Sequence, residues 1–310
     1  MPTLGESYQA IMDPGTSLET IASAFPREWS LVQDATAAIV KQDRSDLVSE
    51  HLVKAQTTIS DWNRKLKAST RPHTLLPQAV PQMATARLTL FALESLYRRA
   101  LARQDGRAPT FFDRLISQTL FFDRKRQRRS PSRLLFKCLW PLVRGKAAIS
   151  TTIQGMGIYC VFTREFAREL KRLICDRACV EVGAGDGTLT LLLEAFGVSV
   201  HATDNYSWEK RIRYPDWVEK YTAEQALERY APEVVLCSWP PPGNQFEKHI
   251  FATESVKMYI AIVSRHRYAA GNWLTYRSQK GFAWQSEPEL TRLLVPQEWD
   301  HEVLVFRREG

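Results

Sequence analysis

The stretch from Glu181 to Gly187, EVGAGDG, constrains this chain more than any other. Ala178 to Val182 is a short apolar run that ends in the glycine cluster, and Thr188 to Phe196 carries apolar residues at helical spacing. The order is therefore strand, tight turn, helix. Gly183, Gly185 and Gly187 leave no side chain where a ligand and the next helix approach the backbone, and glycine takes positive φ freely. That is the nucleotide-binding turn of an α/β sheet.

A dinucleotide fingerprint needs its third glycine three residues after the second, but Gly187 follows Gly185 by two and Thr188 stands at the expected place. Glu181 also speaks against a pyrophosphate, because a carboxylate at the strand end repels phosphate and suits a cationic amino-acid ligand. S-adenosylmethionine is such a ligand. The chain here resembles the class I, Rossmann-like S-adenosylmethionine-dependent methyltransferases, whose first motif, E-x-G-x-G-x-G, agrees with Glu181 to Gly187 at every fixed position. The resemblance implies a seven-stranded Rossmann-like sheet with helices on both faces. It also implies that Glu181, Gly183, Ala184, Gly185 and Gly187 surround the cofactor.

The sequence has 310 residues with 44% hydrophobic and 25% charged side chains, enough for a globular protein of two domains. A net charge of +8 favours anionic partners in general, nucleic acid included. No apolar stretch is long enough to span a bilayer, and MPTLGESYQA lacks the basic start and apolar run of a secretory signal, so a cytoplasmic location is expected. The five cysteines form no C-x-x-C unit; reduced, buried thiols and no metal site are expected.

Residues 1 to about 27 read as a loose lead-in with one short helical piece. Val48, Leu52, Ala55, Ile59, Trp62 and Leu66 then mark one face of a helix. Pro72, Pro77 and Pro81 interrupt the chain before a second helix with Met83, Ala86, Leu90 and Leu93 on its inner face. A basic run, RKRQRRS from Arg124 to Ser130, continues through Arg133 and Lys137 and reads mainly as a solvated linker, with nucleic-acid binding through 124–137 as the alternative. The boundary is placed in Pro141 to Thr152, giving a helical region over 1–148 and a methyltransferase domain over 149–310.

Within that domain, Val198 to Thr203 is the second strand and Asp204 stands at its end, about 20 residues beyond Gly183, where an acidic side chain accepts ribose hydroxyls. Asn205 follows it. The third strand lies near Trp217 to Tyr221, and the resemblance puts the adenine contact at Thr222 and Ala223, although the usual Asp is replaced by Thr222. Upstream, it puts Gly157, Tyr159 and Thr163 near the methionine end of the cofactor.

Pro232 to Trp239 is the fourth strand and runs into three prolines at the switch point of the sheet, where ligands bind. The turn resembles the fourth motif of the amino-group methyltransferases. That implies that Ser238, with the carbonyl of Trp239 or Pro240 and the rigid Pro241, presents an amine to the methyl group, although Trp239 between Ser238 and the prolines departs from the pattern. Met258 to Val263 is the fifth strand, followed by His266, a candidate base, and by an aromatic loop with Trp273, Tyr276, Phe282 and Trp284. Leu290 to Leu294 and His301 to Phe306 close the sheet.

The expected function is S-adenosylmethionine-dependent methyl transfer to a small-molecule or peptide acceptor, at nitrogen. A nucleic-acid base is the alternative acceptor. A non-catalytic cofactor-binding scaffold is the third reading.

Overall fold

The computed structural model describes residues 3–13, 16–42, 45–102, 108–123, 128–208, 212–266 and 269–309, with the backbone alone for 40–42, 45–49, 53 and 94–102. Two compact units divide near residue 100, not near 148. The segment after residue 108 belongs to the second unit for a packing reason. Leu120, Phe121, Phe136, Trp140 and Ile149 bury with Val161, Val295 and Trp299 in one apolar cluster.

The first unit is helical from its start. Thr3 and Glu6 form a capping box on helix Leu4–Met12, and Ser17 caps Leu18–Ala24, so the lead-in expected to be loose holds two helices. Ile11 and Ile21 anchor them in the core beside Trp62, Leu66, Val80 and Met83. The helices Pro26–Gln42, Ser45–Ala68 and Leu76–Ala102 follow. Pro77 and Pro81 sit inside the last of these, instead of interrupting the chain before it as expected. Pro77 lies in the first turn, where no N–H is required of it.

In the second unit the sheet strands are β1 (Cys179–Val182), β2 (Val200–Asp204), β3 (Glu219–Lys220), β4 (Val234–Ser238), β5 (Met258–Ser264), β6 (Phe282–Ser286) and β7 (His301–Arg308). Their order is β3-β2-β1-β4-β5-β7-β6, with β1 to β5 parallel and β7 antiparallel to both neighbours. One face packs against α1 (Arg164–Ile174) and α2 (Thr188–Glu194). The other packs against α3 (Ala223–Tyr230), α4 (Phe246–Ala252) and α5 (Trp273–Ser278). β1, β4 and β5 are almost wholly apolar because helices cover both of their faces.

The closing strands differ from the sequence reading. Phe282 and Trp284 belong to strand β6, not to a loop, and Leu290 lies in the short helix Pro288–Thr291. Leu294–Val295 pairs with Val161–Phe162 in a separate two-stranded ribbon. A run of apolar residues does not say which partner strand it meets, and Pro288 opens a helical turn that removes Leu290 from the sheet.

Candidate active site

The topological switch lies between β1 and β4. Glu181 pairs with Leu236, and continuing that register by two residues brings Gly183 level with Ser238. The glycine turn and the proline turn therefore leave the sheet side by side. A cavity of 1180 Å³ opens there, above the roughly 300–1,000 Å³ usual for a single small ligand.

Gly183, Gly185 and Gly187 all have positive φ, at 68°, 58° and 67°. Gly183, Ala184, Gly185 and Asp186 line the cavity. Gly187 has another duty. It caps α2 in the left-handed conformation, and a Cβ there would lie 2.1 Å from the Trp217 ring. Trp217 is thus brought over the turn by the absence of a side chain, and it lines the cavity itself.

Glu181 is buried at the end of β1. Thr190 donates to its Oε2 through both backbone N–H, at 3.1 Å, and hydroxyl, at 2.6 Å. Both bonds fall on Oε2, which leaves Oε1 for a ligand. Burial is the main cause that pushes its carboxyl up to about 7, against the lowering effect of the Thr190 bonds. A cation placed beside it would favour its ionised form, as Arg128 already does in part.

Asp204 ends β2. Its Oδ2 accepts the Gly185 N–H at 3.0 Å and its Oδ1 accepts the Tyr206 N–H at 2.9 Å. Each oxygen keeps a second lone pair, so the carboxylate can take two vicinal hydroxyls while it tightens the glycine turn. Asn205 lines the cavity with its side chain engaged by the Ser207 N–H, and Ala223 lines it at the start of α3. Thr222 stands outside the lining residues, where it caps α3 in a box with Gln225.

Thr163 is also withdrawn. Fully buried, it caps α1 and donates to the Leu293 carbonyl at 2.7 Å, so its hydroxyl holds the helix in place and does not line the cavity. Gly157 and Tyr159 do line it. His266 pairs with Asp300 at 3.2 Å and is not a lining residue.

On the acceptor side, Ser238, Trp239, Pro240 and Pro241 all line the cavity. The Ser238 hydroxyl has the Cys160 thiol at 3.6 Å, a weak partner that leaves it available. Trp239 has φ 55°, a left-handed conformation that costs a bulky residue about 1–3 kcal/mol, so the surrounding contacts hold it there. Its backbone N–H donates to the Ile262 carbonyl at 2.7 Å and its ring stacks on Tyr159 at 5.1 Å. The Pro240 carbonyl accepts the Gly271 N–H at 2.8 Å and is already engaged.

Arg128 is the residue that sequence reasoning missed. It donates to Asp186 at 3.1 Å and to the Cys160 carbonyl at 2.8 Å, and with Phe122 and Ser130 it lines the cavity. The basic run is therefore not a solvated linker at this position; Arg124 to Gln127 lie outside the described residues. Two of the five thiols, Cys138 and Cys175, are exposed, and all five are free. Among the described residues no cluster of three His, Cys, Asp or Glu side chains suits a metal ion, and no helix is long and apolar enough to cross a membrane.

The strand order, the antiparallel seventh strand and the glycine turn at the switch point define the class I methyltransferase fold. No family model and no curated protein matches the sequence. Among solved structures, the chain is similar to magnesium protoporphyrin IX methyltransferase from Synechocystis with bound SAM, at 12% identity over 47% of this chain and 79% of that one, TM-score 0.33. It is also similar to the CurJ carbon methyltransferase, at 12% identity over 98% and 99%, TM-score 0.36. Human N-acetylserotonin methyltransferase in complex with SAM gives 10% identity over 88% and 98%, TM-score 0.28. The fold assignment rests on the topology, not on these likenesses.

Proposed function

We propose that the chain transfers a methyl group from S-adenosylmethionine to a nitrogen of a small-molecule or peptide acceptor. The observation that carries the reading is one continuous cavity lined both by the glycine turn with Asp204 and by Ser238 to Pro241. Glu181 suits the ammonium group of the cofactor, Asp204 its ribose and Ala223 the adenine edge. Arg128 offers a guanidinium suited to the amino-acid carboxylate.

When bound, S-adenosylmethionine would supply a sulfonium methyl group to the lone pair of a neutral amine: the N–C bond forms as the S–C bond breaks, the neutral thioether leaves, and the methylated ammonium gives its proton to water. The work of the protein is to orient the amine and exclude water. Ser238 Oγ and the Trp239 carbonyl accept the amine hydrogens, since the Pro240 carbonyl is committed to Gly271. The Tyr159 and Trp239 rings wall the same side.

A small acceptor is favoured over nucleic acid because Arg128, inside the basic run, faces the cavity and bonds Asp186 and the Cys160 carbonyl, which suits it to a ligand in the cavity and not to an external phosphate backbone. Calorimetric titration with S-adenosylmethionine, followed by acceptor screening with methyl-labelled cofactor, tests the reading. Binding below millimolar concentration and label in an amine product are expected. No heat of binding to the folded protein at millimolar cofactor overturns it.

A further inference from the structure

Beneath the proline turn lies a carboxylate that the proposed chemistry does not use. Glu247, in the first turn of α4, is fully buried, and its side chain takes bonds from several surrounding elements. Oε1 accepts the hydroxyl of Tyr259 on β5 at 2.5 Å and the hydroxyl of Tyr276 on α5. Oε2 accepts the Asn244 side-chain amide at 2.7 Å and the Asn272 N–H at 2.8 Å.

The two asparagines carry the grip onward to the cavity wall. The Asn244 amide also donates to the Pro241 carbonyl at 2.8 Å, and the Asn272 side chain donates to the Asn244 carbonyl. Next to them, Gly271 N–H meets the Pro240 carbonyl at 2.8 Å and Gly243 N–H meets the Gly271 carbonyl at 3.2 Å. The turn that holds Ser238, Trp239, Pro240 and Pro241 is thus laced to the 270–272 loop by backbone bonds and by two asparagines that both meet Glu247.

We propose that Glu247 is a positioning residue for the acceptor side of the cavity, clamping the proline turn through Asn244 and Asn272; the proposal rests on the methyl-transfer reading given above. Burying a carboxylate is costly, and an apolar side chain fills such a space at lower cost. What an apolar residue lacks is direction. The Asn244 amide and the Asn272 N–H can only donate, and the two buried tyrosine hydroxyls donate as well, so a carboxylate is the side chain that satisfies all four hydrogens at once. Glutamine keeps the shape but turns an N–H₂ group toward two of the donors.

Glu247→Gln in the full chain tests this by amide hydrogen exchange, cofactor titration and single-turnover transfer. The expected result is at least tenfold faster exchange at Gly243, Gly271 and Asn272 with β1 unchanged, a cofactor Kd within twofold of wild type, and transfer slowed tenfold or more. Glu247→Asp, which keeps an all-acceptor group, recovers part of the loss. Asn244→Ala, on the half-buried turn, repeats the pattern without altering the buried carboxylate, should Glu247→Gln fail to fold. Unchanged exchange at those amides, or a cofactor Kd that worsens in step with the rate, overturns the proposal. Absence of methyl transfer in the wild-type protein instead counts against the proposed function, and the exchange rates still decide the clamp.

Discussion

Arg128 reaches the carboxylate of Asp186 at 3.1 Å, across 58 residues of sequence, and so ties the segment before the Rossmann-like core to the tip of its glycine turn. Its second bond, to the Cys160 carbonyl at 2.8 Å, fixes the strand that leads to α1. The guanidinium is mostly shielded from solvent, with 16% of the side chain exposed, which makes the pair worth more than a surface ion pair. The segment is therefore part of the cavity wall.

Replacing Arg128 by Met should cost about 2 kcal/mol of stability, the scale for losing hydrogen bonds to a charged group. Urea unfolding of the variant measures it. A midpoint equal to wild type would make the bond with Asp186 incidental.

Asp204→Ala should weaken cofactor binding by at least ~1 kcal/mol, because two charge-assisted acceptors are lost. The Gly185 N–H loses its partner in the same step. Titration calorimetry reads the difference, and an unaltered affinity would place the ribose elsewhere.

Glu181 predicts a proton linkage with a definite sign. Burial raises its folded pKa to about 7 from the ordinary glutamate value of 4.5, so the unfolded chain ionises first and fold stability falls as pH rises from about 4.5 through 7. Cofactor binding runs the other way. Holding an ammonium group requires the ionised form, so binding at pH 6 should release a proton and affinity should rise toward pH 8. Calorimetry in two buffers of different ionisation enthalpy detects the proton, and identical heats in both would remove Glu181 from the site.

Ser238→Ala should slow methyl transfer roughly ten- to a hundredfold while leaving cofactor affinity unchanged, since orientation of the acceptor is the main task left to the protein. Single-turnover rates and cofactor titrations on the same variant examine both halves. A wild-type rate would make the proline turn a structural feature only.

The sequence by itself determined the features whose cause is local. The glycine turn was legible because positive φ at Gly183, Gly185 and Gly187 follows from residue type, and Asp204 because strand length and helix length set where β2 ends. Of the first five strands, β1, β2, β4 and β5 were legible from their apolar runs, and β3 was placed near Trp217 to Tyr221, each to within two residues of its observed ends. Tertiary structure alone decided which distant group satisfies each polar side chain. Thr163 reads as a pocket residue until its hydroxyl is found on Leu293, and Arg128 reads as linker until it meets Asp186. The space above Gly187 is filled by Trp217, and the Glu247 carboxylate is shared among Tyr259, Tyr276, Asn244 and Asn272. Local conformation depends on a few neighbouring residues, whereas a buried donor or acceptor must be paired by whatever the packing of remote elements brings within about 3 Å of it.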